Sequence, residues 1–382
     1  MKRAVMALSG GMDSTSLLIN LLANDYKVDC ISFIYGQKHV IEVEKAIDNI
    51  SHLNGKGFKI NHEIVDLSSA MSVFHSALTN EEIEIPEGHY EELQMKATVV
   101  PNRNAIFSSI IYGYALSIVS REGIDVEIAL GVHSGDHAIY PDCRPEFYES
   151  LEEAFRIGNW DSDRVKFCLP YIDEDKTKIL RDAEKSCEIL TLDFDTIFSN
   201  TITSYDPDSE GRSSGRTGSD IERILAFRDI GRIDPIDYVE PWEIVLKNAI
   251  SIEQKNKDEY YKENLTDLQY DVTRKSATER PFTGEFWDEK RDGEYTCICC
   301  GHTLFTSEMK FDSGCGWPSF HSEHTEANIN QIQDMTHGMI RLEVQCSKCN
   351  AHLGHIFNDG PIQFGGERYC INSASMSFEE RE

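Results

Sequence analysis

The chain has 382 residues, a net charge of −29 at pH 7, and hydrophobic and charged fractions of 40% and 27%, which are ordinary for two or three folded domains. The acidic excess excludes an extended nucleic-acid surface, because phosphate contacts require clustered lysine and arginine. There is no bilayer-length apolar run and no signal peptide, and the eleven cysteines favour a reducing compartment, so we expect a cytoplasmic protein without stable membrane or nucleic-acid binding.

Strand-like and helix-like segments alternate through the first two thirds of the chain. Short apolar runs predict buried strands, and apolar spacing of three and four residues predicts helices. This alternation is typical of an α/β doubly wound fold, in which helices cover both faces of a mostly parallel sheet. The predicted strands are 3–8, 28–35, 59–67 and 126–132, and the predicted helices are 14–22, 40–53 and 103–120.

The remaining segments depart from this alternation. The acidic segment 78–98 is interpreted as an insertion or lid, and segment 204–220, rich in Ser, Gly, Arg and Asp, as a loop. Beyond residue 281, turn residues and cysteines indicate short strands. We therefore predict an α/β domain at 1–247, a helical linker at 248–263 and a small, mainly β domain at 257–382.

A glycine-rich turn, LSGGMDSTSL at 8–17, follows the first predicted strand directly. The two glycines let the backbone curl tightly, and the N–H groups of a following helix make this turn a phosphate cradle. It lacks the Gly-Lys-Ser/Thr ending of a Walker A loop. The candidate phosphate-binding residues are Ser9, Gly10, Gly11, Asp13, Ser14 and Thr15.

The cradle resembles the loop of N-type ATP pyrophosphatases, and further motifs resemble 7-cyano-7-deazaguanine synthase over residues 1–241. The resemblance implies a Rossmann-like fold with ATP and Mg²⁺ at the carboxyl ends of the strands. It also implies that a 7-carboxy-7-deazaguanine is adenylated with release of pyrophosphate, converted by ammonia to an amide, and dehydrated to a nitrile. The motifs are YGQKH at 35–39 with Glu42, VPNRN at 100–104 with Phe107, Gly131-Val with Asp136, and YPDCRPEF at 140–147.

Anionic substrates need local cations in so acidic a chain. Arg103 and Arg144 are favoured because they lie inside the loop motifs, whereas each other cation has the alternative of being an ordinary solvated charge. The candidates are Lys38, His39, Arg103, Arg144 and Lys176.

One feature of the resembled family is missing. Its four-cysteine zinc site precedes an Arg-x-x-Ala-Phe segment, which is RILAF at 223–227 here, and hydroxyls do not replace thiolates as zinc ligands. We therefore predict no zinc in this domain. Either hydrogen bonds hold the loop and the chemistry survives, or the product has changed to the amide or to a conjugate with another amine. The four ligand positions read Ser204, Ser214, Thr217 and Asp220.

The last third of the chain carries two Cys-x-x-Cys pairs and two further cysteines, Cys315 and Cys370. Two such pairs suit one closed, tetrahedral structural zinc, and Cys299 has poorer geometry than its neighbours as a ligand. Cys315 and Cys370 then remain for thiol redox chemistry. The predicted zinc ligands are Cys297, Cys300, Cys346 and Cys349.

From about residue 257 the chain resembles methionine-R-sulfoxide reductase of the MsrB type. The resemblance implies a small, twisted, β-barrel-like sheet, oxidised peptides or proteins as substrates and a thioredoxin-like reductant. The motifs are RPFTGEFW at 280–287, KFDSGCGWPSF at 310–320, HGM at 337–339, HLGHIF at 352–357 and RYCINSAS at 368–375.

The resemblance also implies the roles of individual residues. Cys370 attacks the sulfoxide as a thiolate of depressed pKa, and Cys315 resolves the sulfenic acid as a disulfide. Arg368 is either a donor in the pocket or a surface charge. The other implied pocket residues are Trp317, His352, His355 and Asn372.

The sequence therefore indicates a two-enzyme fusion. Two alternatives remain for the first domain: a ligase that joins the deazapurine carboxylate to another amine, and a nucleotide sensor without turnover. In the second case Cys315 and Cys370 would act as a redox switch.

Overall fold

The computed structural model describes residues 2–38, 41–80, 83, 93–137, 139–204, 206–327, 329–335 and 341–381. The chain divides into two compact units, Met1–Gln254 and Lys255–Glu382. Among the described residues, no helix is both long and apolar enough to cross a membrane. His39, the motif at 337–339 and most of the predicted lid lie outside these ranges.

The first unit alternates strands and helices, as the sequence predicts. Strand 165–168 was not predicted, because four residues are too few to establish a periodicity. The elements are β1 Lys2–Ala7, α1 Met12–Ala23, β2 Tyr26–Ile34, α2 Ile41–Gly55, β3 Asn61–Asp66, α3 Ser68–Met71, α4 Arg103–Glu122, β4 Val126–Ala129, α5 Pro145–Gly158, β5 Val165–Cys168, α6 Lys176–Leu190, α7 Phe194–Ser199 and α8 Gly218–Asp229, followed by α9 Trp242–Asn264.

The five strands form one parallel sheet in the order β3-β2-β1-β4-β5. Successive side chains of a strand point to opposite faces, and β1 accordingly supplies two separate cores. Ala4 and Met6 pack in one core with residues of α1 and α6, whereas Val5 packs in the other with residues of α4. The predicted doubly wound α/β fold is confirmed.

The predicted loop 204–220 ends earlier than expected. Helix α8 begins at Gly218, because Thr217 caps it by accepting a hydrogen bond from the backbone N–H of Asp220. The segment predicted as a helical linker, 248–263, falls within the longer α9.

The second unit consists of antiparallel strands, as predicted for a mainly β domain. They form a six-stranded sheet, β10-β11-β12-β13-β9-β8, and a three-stranded sheet, β14-β6-β7. Tyr295 of the smaller sheet and Phe320 of the larger share one core, with ring centroids 5.1 Å apart. The elements are α10 Asp267–Lys275, β6 Gly293–Cys297, β7 Thr303–Thr306, β8 Lys310–Phe311, β9 Ser319–Phe320, β10 Asn330–Asp334, β11 Arg341–Gln345, β12 His352–Phe357, β13 Arg368–Ile371 and β14 Met376–Glu380.

Candidate active sites

The glycine-rich turn lies at the carboxyl end of β1, where it leads into α1. Gly10 has φ +88°, and a Cβ there would lie 1.9 Å from the carbonyl oxygen of Glu42, so only glycine fits. Ser9 Oγ accepts a hydrogen bond from the Gly11 N–H at 3.2 Å and lies 3.0 Å from Ser14 Oγ. Backbone N–H groups and two hydroxyls therefore converge at this turn.

The turn opens into a cavity of about 230 Å³ that has a polar end and an aromatic end. At the aromatic end Phe33 and Phe107 stack with centroids 4.1 Å apart and ring planes 8° apart. Such a wall suits a flat heteroaromatic ring. The polar end is lined by Ser9, Gly11, Asp13, Ser14, Gly131 and Asp136, and the aromatic end by Phe33, Tyr35, Glu42, Arg103, Asn104, Phe107, Ser108 and Tyr148.

Lys176, at the start of α6, reaches Asp13 of the turn. Its Nζ lies 3.5 Å from Asp13 Oδ2 and 3.1 Å from Glu222 Oε2. Burial by itself would lower the pKa of Lys176, but Asp13 and Glu222 raise it above the usual value, so the ammonium stays charged. The cluster thus places one fixed positive charge among carboxylates at the phosphate cradle.

Two residues of this cluster, His133 and Glu222, were missed in the sequence. His133 Nδ1 accepts the Gly135 N–H, so its Nε2, 3.7 Å from Asp13 and 3.5 Å from Asp136, carries the proton in the neutral ring. His133 lies inside the motif that begins at Gly131 and could have been found there. Glu222 had no sequence signal, because α8 brings it in from far along the chain.

Of the other predicted site residues, one cation lines the cavity, whereas two cations and Thr15 do not. Arg103 lines it, but Arg144 donates from Nε to the carbonyl of His137 at 2.9 Å, and Lys38 donates to that of Ile83 at 2.6 Å. Neither Arg144 nor Lys38 is among the cavity-lining residues, and Thr15 is buried beneath the turn. A motif places a residue in a loop but does not set the direction of a long side chain.

Glu42, at the start of α2, is a further residue of the cavity. Burial raises the pKa of its carboxyl group to about 7, although the neighbouring Arg103 acts to lower it. This carboxyl group can therefore exchange a proton near neutral pH.

The four positions that carry zinc-binding cysteines in the resembled family converge on one carboxylate. Asp220 Oδ2 accepts hydrogen bonds from Ser204 Oγ, Ser214 Oγ and the Gly215 N–H, each at 3.1 Å. Asp220 is fully buried, and burial raises the pKa of its carboxyl group. Just before this loop, the Ile202 N–H donates to the Gly10 carbonyl of the phosphate cradle at 3.1 Å. Hydrogen bonds therefore hold this loop, which is the first of the two alternatives given for the missing zinc ligands.

Beside this cluster, Arg223 forms a fully buried ion pair with Asp234. Its Nε and Nη2 donate to the two carboxylate oxygens at 2.6 and 2.9 Å. Arg223→Ala would leave Asp234 charged and buried, so we expect a loss of about 3–5 kcal/mol in the free energy of unfolding of the first unit. The denaturant midpoint of that unit's transition measures it.

Arg228→Ala is the matched control, on the same helix, because its pairs with Asp229 and Glu253 are partly exposed. We expect a loss of about 1 kcal/mol or less. Equal losses for the two variants would show that burial does not determine how much the Arg223–Asp234 pair contributes to the free energy of unfolding.

In the second unit the four cysteines of the Cys-x-x-Cys pairs form one cluster. All four Sγ atoms lie within 4.8 Å of one another, and Cys297–Cys349 and Cys300–Cys346 are 3.6 Å apart. A tetrahedral zinc with Zn–S bonds of about 2.3 Å requires sulfurs roughly 3.8 Å apart, so the cluster could hold zinc.

Each pair sits in the same kind of turn. The N–H of Gly301 donates to the carbonyl of Cys297 at 2.8 Å, and that of Asn350 to Cys346 at 2.9 Å. Both donors have positive φ, of 68° and 55°, which glycine and asparagine tolerate best. Cys299 is not part of the four-sulfur group.

Cys370 lies in a row of residues that crosses four strands of the six-stranded sheet. The register aligns Glu343 on β11 with His355 on β12, His355 with Cys370 on β13, and Cys370 with Ser319 on β9. Cys315 Sγ lies 3.8 Å from Cys370 Sγ. The two thiols that the sequence singled out are therefore close enough to form a disulfide after a small movement.

The two predicted histidines stand together, each hydrogen-bonded to a carboxylate. His352 Nδ1 donates to Glu343 at 2.5 Å, His355 Nε2 donates to Asp334 at 2.9 Å, and the ring centroids are 5.4 Å apart. Among the described residues, His352 Nε2 is buried without a hydrogen-bond partner. That atom can exchange a proton with a ligand.

Asn372 and Trp317 are tied to a residue that the sequence did not single out, Glu279. Asn372 Oδ1 accepts the Glu279 N–H at 3.0 Å and its Nδ2 donates to the Leu353 carbonyl at 2.9 Å, while Trp317 Nε1 donates to the Glu279 carbonyl at 3.1 Å. The Glu279 carboxylate in turn accepts the N–H groups of residues 373 and 374. The Asn372 amide thus joins backbone segments around the pocket.

The pKa of the Cys370 thiol is raised in the structure, whereas the sequence resemblance implies a lowered one. Burial raises the pKa of its thiol to about 12, and Arg368 opposes this only in part. Arg368 is itself buried, with its guanidinium held by both oxygens of Asp359 at 2.8 and 3.0 Å. Of the two alternatives for Arg368, the structure supports the pocket donor, and the predicted low pKa of Cys370 is wrong for the ligand-free pocket.

Comparison with known proteins gives a separate family match within each of the two units. The model of the family "Queuosine biosynthesis protein QueC" matches residues 3–231, and the SelR domain model matches residues 265–380. A 7-cyano-7-deazaguanine synthase of Colwellia psychrerythraea is 40% identical over 62% of this chain and 99% of its own length. A synthase of the same name from Hahella chejuensis is 40% identical over 62% of this chain and 93% of its length. The peptide methionine sulfoxide reductase MsrB of Hahella chejuensis is 56% identical over 34% of this chain and 91% of its length.

Proposed function

The chain belongs to the QueC family through its first unit and to the SelR, or MsrB, family through its second, and from this premise we propose a bifunctional enzyme. The first unit activates the carboxylate of a 7-carboxy-7-deazaguanine with ATP, releasing AMP and pyrophosphate. The second unit reduces methionine-R-sulfoxide in peptides or proteins. Zinc holds the second unit together and Mg²⁺ accompanies ATP.

The convergence of the phosphate cradle with an aromatic wall in one cavity carries the proposal for the first unit. Backbone N–H groups of the turn, Ser9 and Ser14 bind the phosphates of ATP. Asp13 Oδ1, which is buried without a hydrogen-bond partner among the described residues, and Asp136 would hold Mg²⁺, whose charge would offset that of the phosphates. Lys176 adds a fixed positive charge beside them.

The aromatic end of the cavity fits the second substrate. A flat deazapurine lies against Phe33 and Phe107, and Arg103 faces its carboxylate. The carboxylate attacks the α-phosphorus of ATP and pyrophosphate leaves. Ammonia then displaces AMP to give the amide, and a second activation and dehydration gives the nitrile. Arg144 and Lys38 would join this site only if their side chains turn.

Asp13→Ala tests the first unit, because it removes the carboxylate that faces both Lys176 and His133. We expect carboxylate-dependent turnover of ATP to fall by about a hundredfold or more, as for loss of a charge-stabilising group in other active sites. Asp48→Ala, an exposed aspartate of α2, is the control and should behave as wild type. The assay measures AMP and pyrophosphate. Formation of ADP instead would contradict the proposal.

Mass spectrometry of the product separates the nitrile from its alternatives. We expect a nitrile or amide from ATP, ammonia and 7-carboxy-7-deazaguanine. The altered loop around Asp220 supports keeping the ligase alternative, since it directly follows Ile202, which hydrogen-bonds to Gly10 of the cradle, so that a change in this loop can alter the acceptor. A product joined to another amine would favour the ligase, and no turnover at all would favour a nucleotide sensor.

The pairing of two thiols 3.8 Å apart with two carboxylate-bound histidines carries the proposal for the second unit. The Cys370 sulfur takes the oxygen of the sulfoxide, leaving methionine and a sulfenic acid. His352 or His355 passes a proton to the sulfoxide oxygen, and Trp317 offers a flat face to the methyl group. Cys315 then closes a disulfide that a thioredoxin-like dithiol reopens. We expect only the R epimer to be reduced.

A further inference from the structure

Two serine hydroxyls contact the sulfur of Cys315. Ser313 Oγ donates to Cys315 Sγ at 3.0 Å, and Ser319 Oγ lies 3.5 Å from the same sulfur and 2.8 Å from Ser313 Oγ. The carbonyl of Trp317 also lies 3.5 Å from the sulfur and 3.4 Å from Ser319 Oγ. Ser319 is buried on β9 and is paired in register with Cys370, so its position is fixed by the sheet.

The two thiols of the pocket consequently differ in acidity. Burial acts to raise the pKa of both, but hydrogen bonds from Ser313 and Ser319 lower that of Cys315 below its usual value. The charged groups nearby are Arg368 on β13, His355, which is paired in register with Cys370, and Asp312, which accepts the N–H of Gly314. Arg368 lowers the pKa of Cys370 and hydrogen-bonds to its sulfur, so it acts against the difference between the two thiols. The hydrogen bonds of the hydroxyl pair go to the sulfur of Cys315.

We propose that hydrogen bonds from Ser313 and Ser319 stabilise the thiolate form of Cys315 in preference to that of Cys370, and so set the rate of disulfide closure. This inference rests on the proposed reductase function. Ser313 and Ser319 are positioning residues, since they act through the sulfur of Cys315 and touch no substrate atom.

This distribution of charge agrees with the chemistry of both steps. A thiol and a sulfoxide give a sulfide and a sulfenic acid without any proton from solvent: Cys370 loses its proton as its sulfur attacks, and the histidines pass a proton to the sulfoxide oxygen as the S–O bond to methionine breaks. The Cys315 thiolate then attacks the sulfenic sulfur. The S–S bond forms, the S–O bond breaks, and the hydroxide that leaves takes up a proton as water. Cys370 therefore has to give up its proton only when the sulfoxide is bound, whereas Cys315 has to be a thiolate for closure of the disulfide.

Titration of the thiolate absorbance tests the inference without any sulfoxide. In the Cys370→Ser background the low-pKa absorbance should persist, and in the Cys315→Ser background it should disappear. Adding Ser313→Ala or Ser319→Ala to Cys370→Ser should raise the pKa of Cys315 by about one unit, because hydrogen bonds to a charged group are the stronger kind. Ser313→Thr keeps the hydroxyl at an exposed position and should restore the wild-type value.

The pH profile of disulfide closure gives an independent readout in the otherwise wild-type chain. It should move to higher pH in Ser313→Ala, with the rate below the pKa falling about threefold per unit, since a more basic thiolate is also a better nucleophile. Ser322→Ala, whose hydroxyl contacts His321, is the control. An unchanged Cys315 pKa and profile in both alanine variants, or a low-pKa thiolate that persists in Cys315→Ser, would overturn the inference. Reduction by Cys370→Ser would instead refute the assigned thiol roles.

Discussion

Cys370→Ser should lose all sulfoxide reduction, including the first turnover, whereas Cys315→Ser should reduce one equivalent and then stall. The sheet register pairs Cys370 with His355, whose ring lies 5.4 Å from that of His352, and a serine hydroxyl is far less nucleophilic than a thiolate. We expect a loss of at least about 10³-fold for Cys370→Ser, comparable to removal of other catalytic nucleophiles. Single-turnover assays on a methionine-R-sulfoxide peptide measure it.

The stalled Cys315→Ser variant provides the internal control. Thioredoxin should fail to restart it, because no disulfide forms, but dithiothreitol can attack the sulfenic acid of Cys370 directly and should restore turnover. The S epimer should not be reduced by any variant. Steady turnover of Cys370→Ser, or loss of even the first equivalent in folded Cys315→Ser, would reverse the assigned roles.

Cys346→Ser should unfold the second unit and leave nucleotide binding by the first unit intact. A structural zinc contributes on the order of 10–16 kcal/mol, more than a small domain's whole stability, and loss of one thiolate breaks the closed site. Near-ultraviolet circular dichroism and limited proteolysis report the state of the second unit. A chelator should have the same effect on the wild-type chain.

Cys299→Ser is the matched variant for this experiment. Cys299 lies inside the first pair but outside the four-sulfur cluster, so its loss should leave the zinc content and the fold unchanged. Elemental analysis should find one zinc per chain, because oxygen atoms of Ser204, Ser214 and Asp220 meet where the resembled family has thiolates. Two zincs per chain, or equal damage from Cys299→Ser and Cys346→Ser, would contradict this assignment.

The features that could be predicted from the sequence are those set by neighbours in the chain. Apolar periodicity over ten to twenty residues determines helices such as α1 and α4, and the short Ser-Gly-Gly-x-Asp-Ser turn carries its own geometry, which only glycine at position 10 permits. The Cys-x-x-Cys turns are likewise local. Strand β5 could not be predicted in this way, because its four residues are too few to show a periodicity.

The tertiary structure decided what depends on residues far apart in the chain. It brings Glu222 and His133 to Asp13 and hydrogen-bonds Asn372 to the backbone of Glu279. It also directs Arg144 and Lys38 to backbone carbonyls outside the cavity lining and places the hydroxyls of Ser204 and Ser214 on Asp220. It also decides the acidity of the two thiols. Cys315 and Cys370 are the same chemical group in sequence, but burial raises the pKa of Cys370, whereas hydrogen bonds from Ser313 and Ser319 lower that of Cys315. Motifs thus identify the reacting atoms, whereas charge and direction follow from the folded surroundings, because electrostatic and hydrogen-bond energies depend on distance in space.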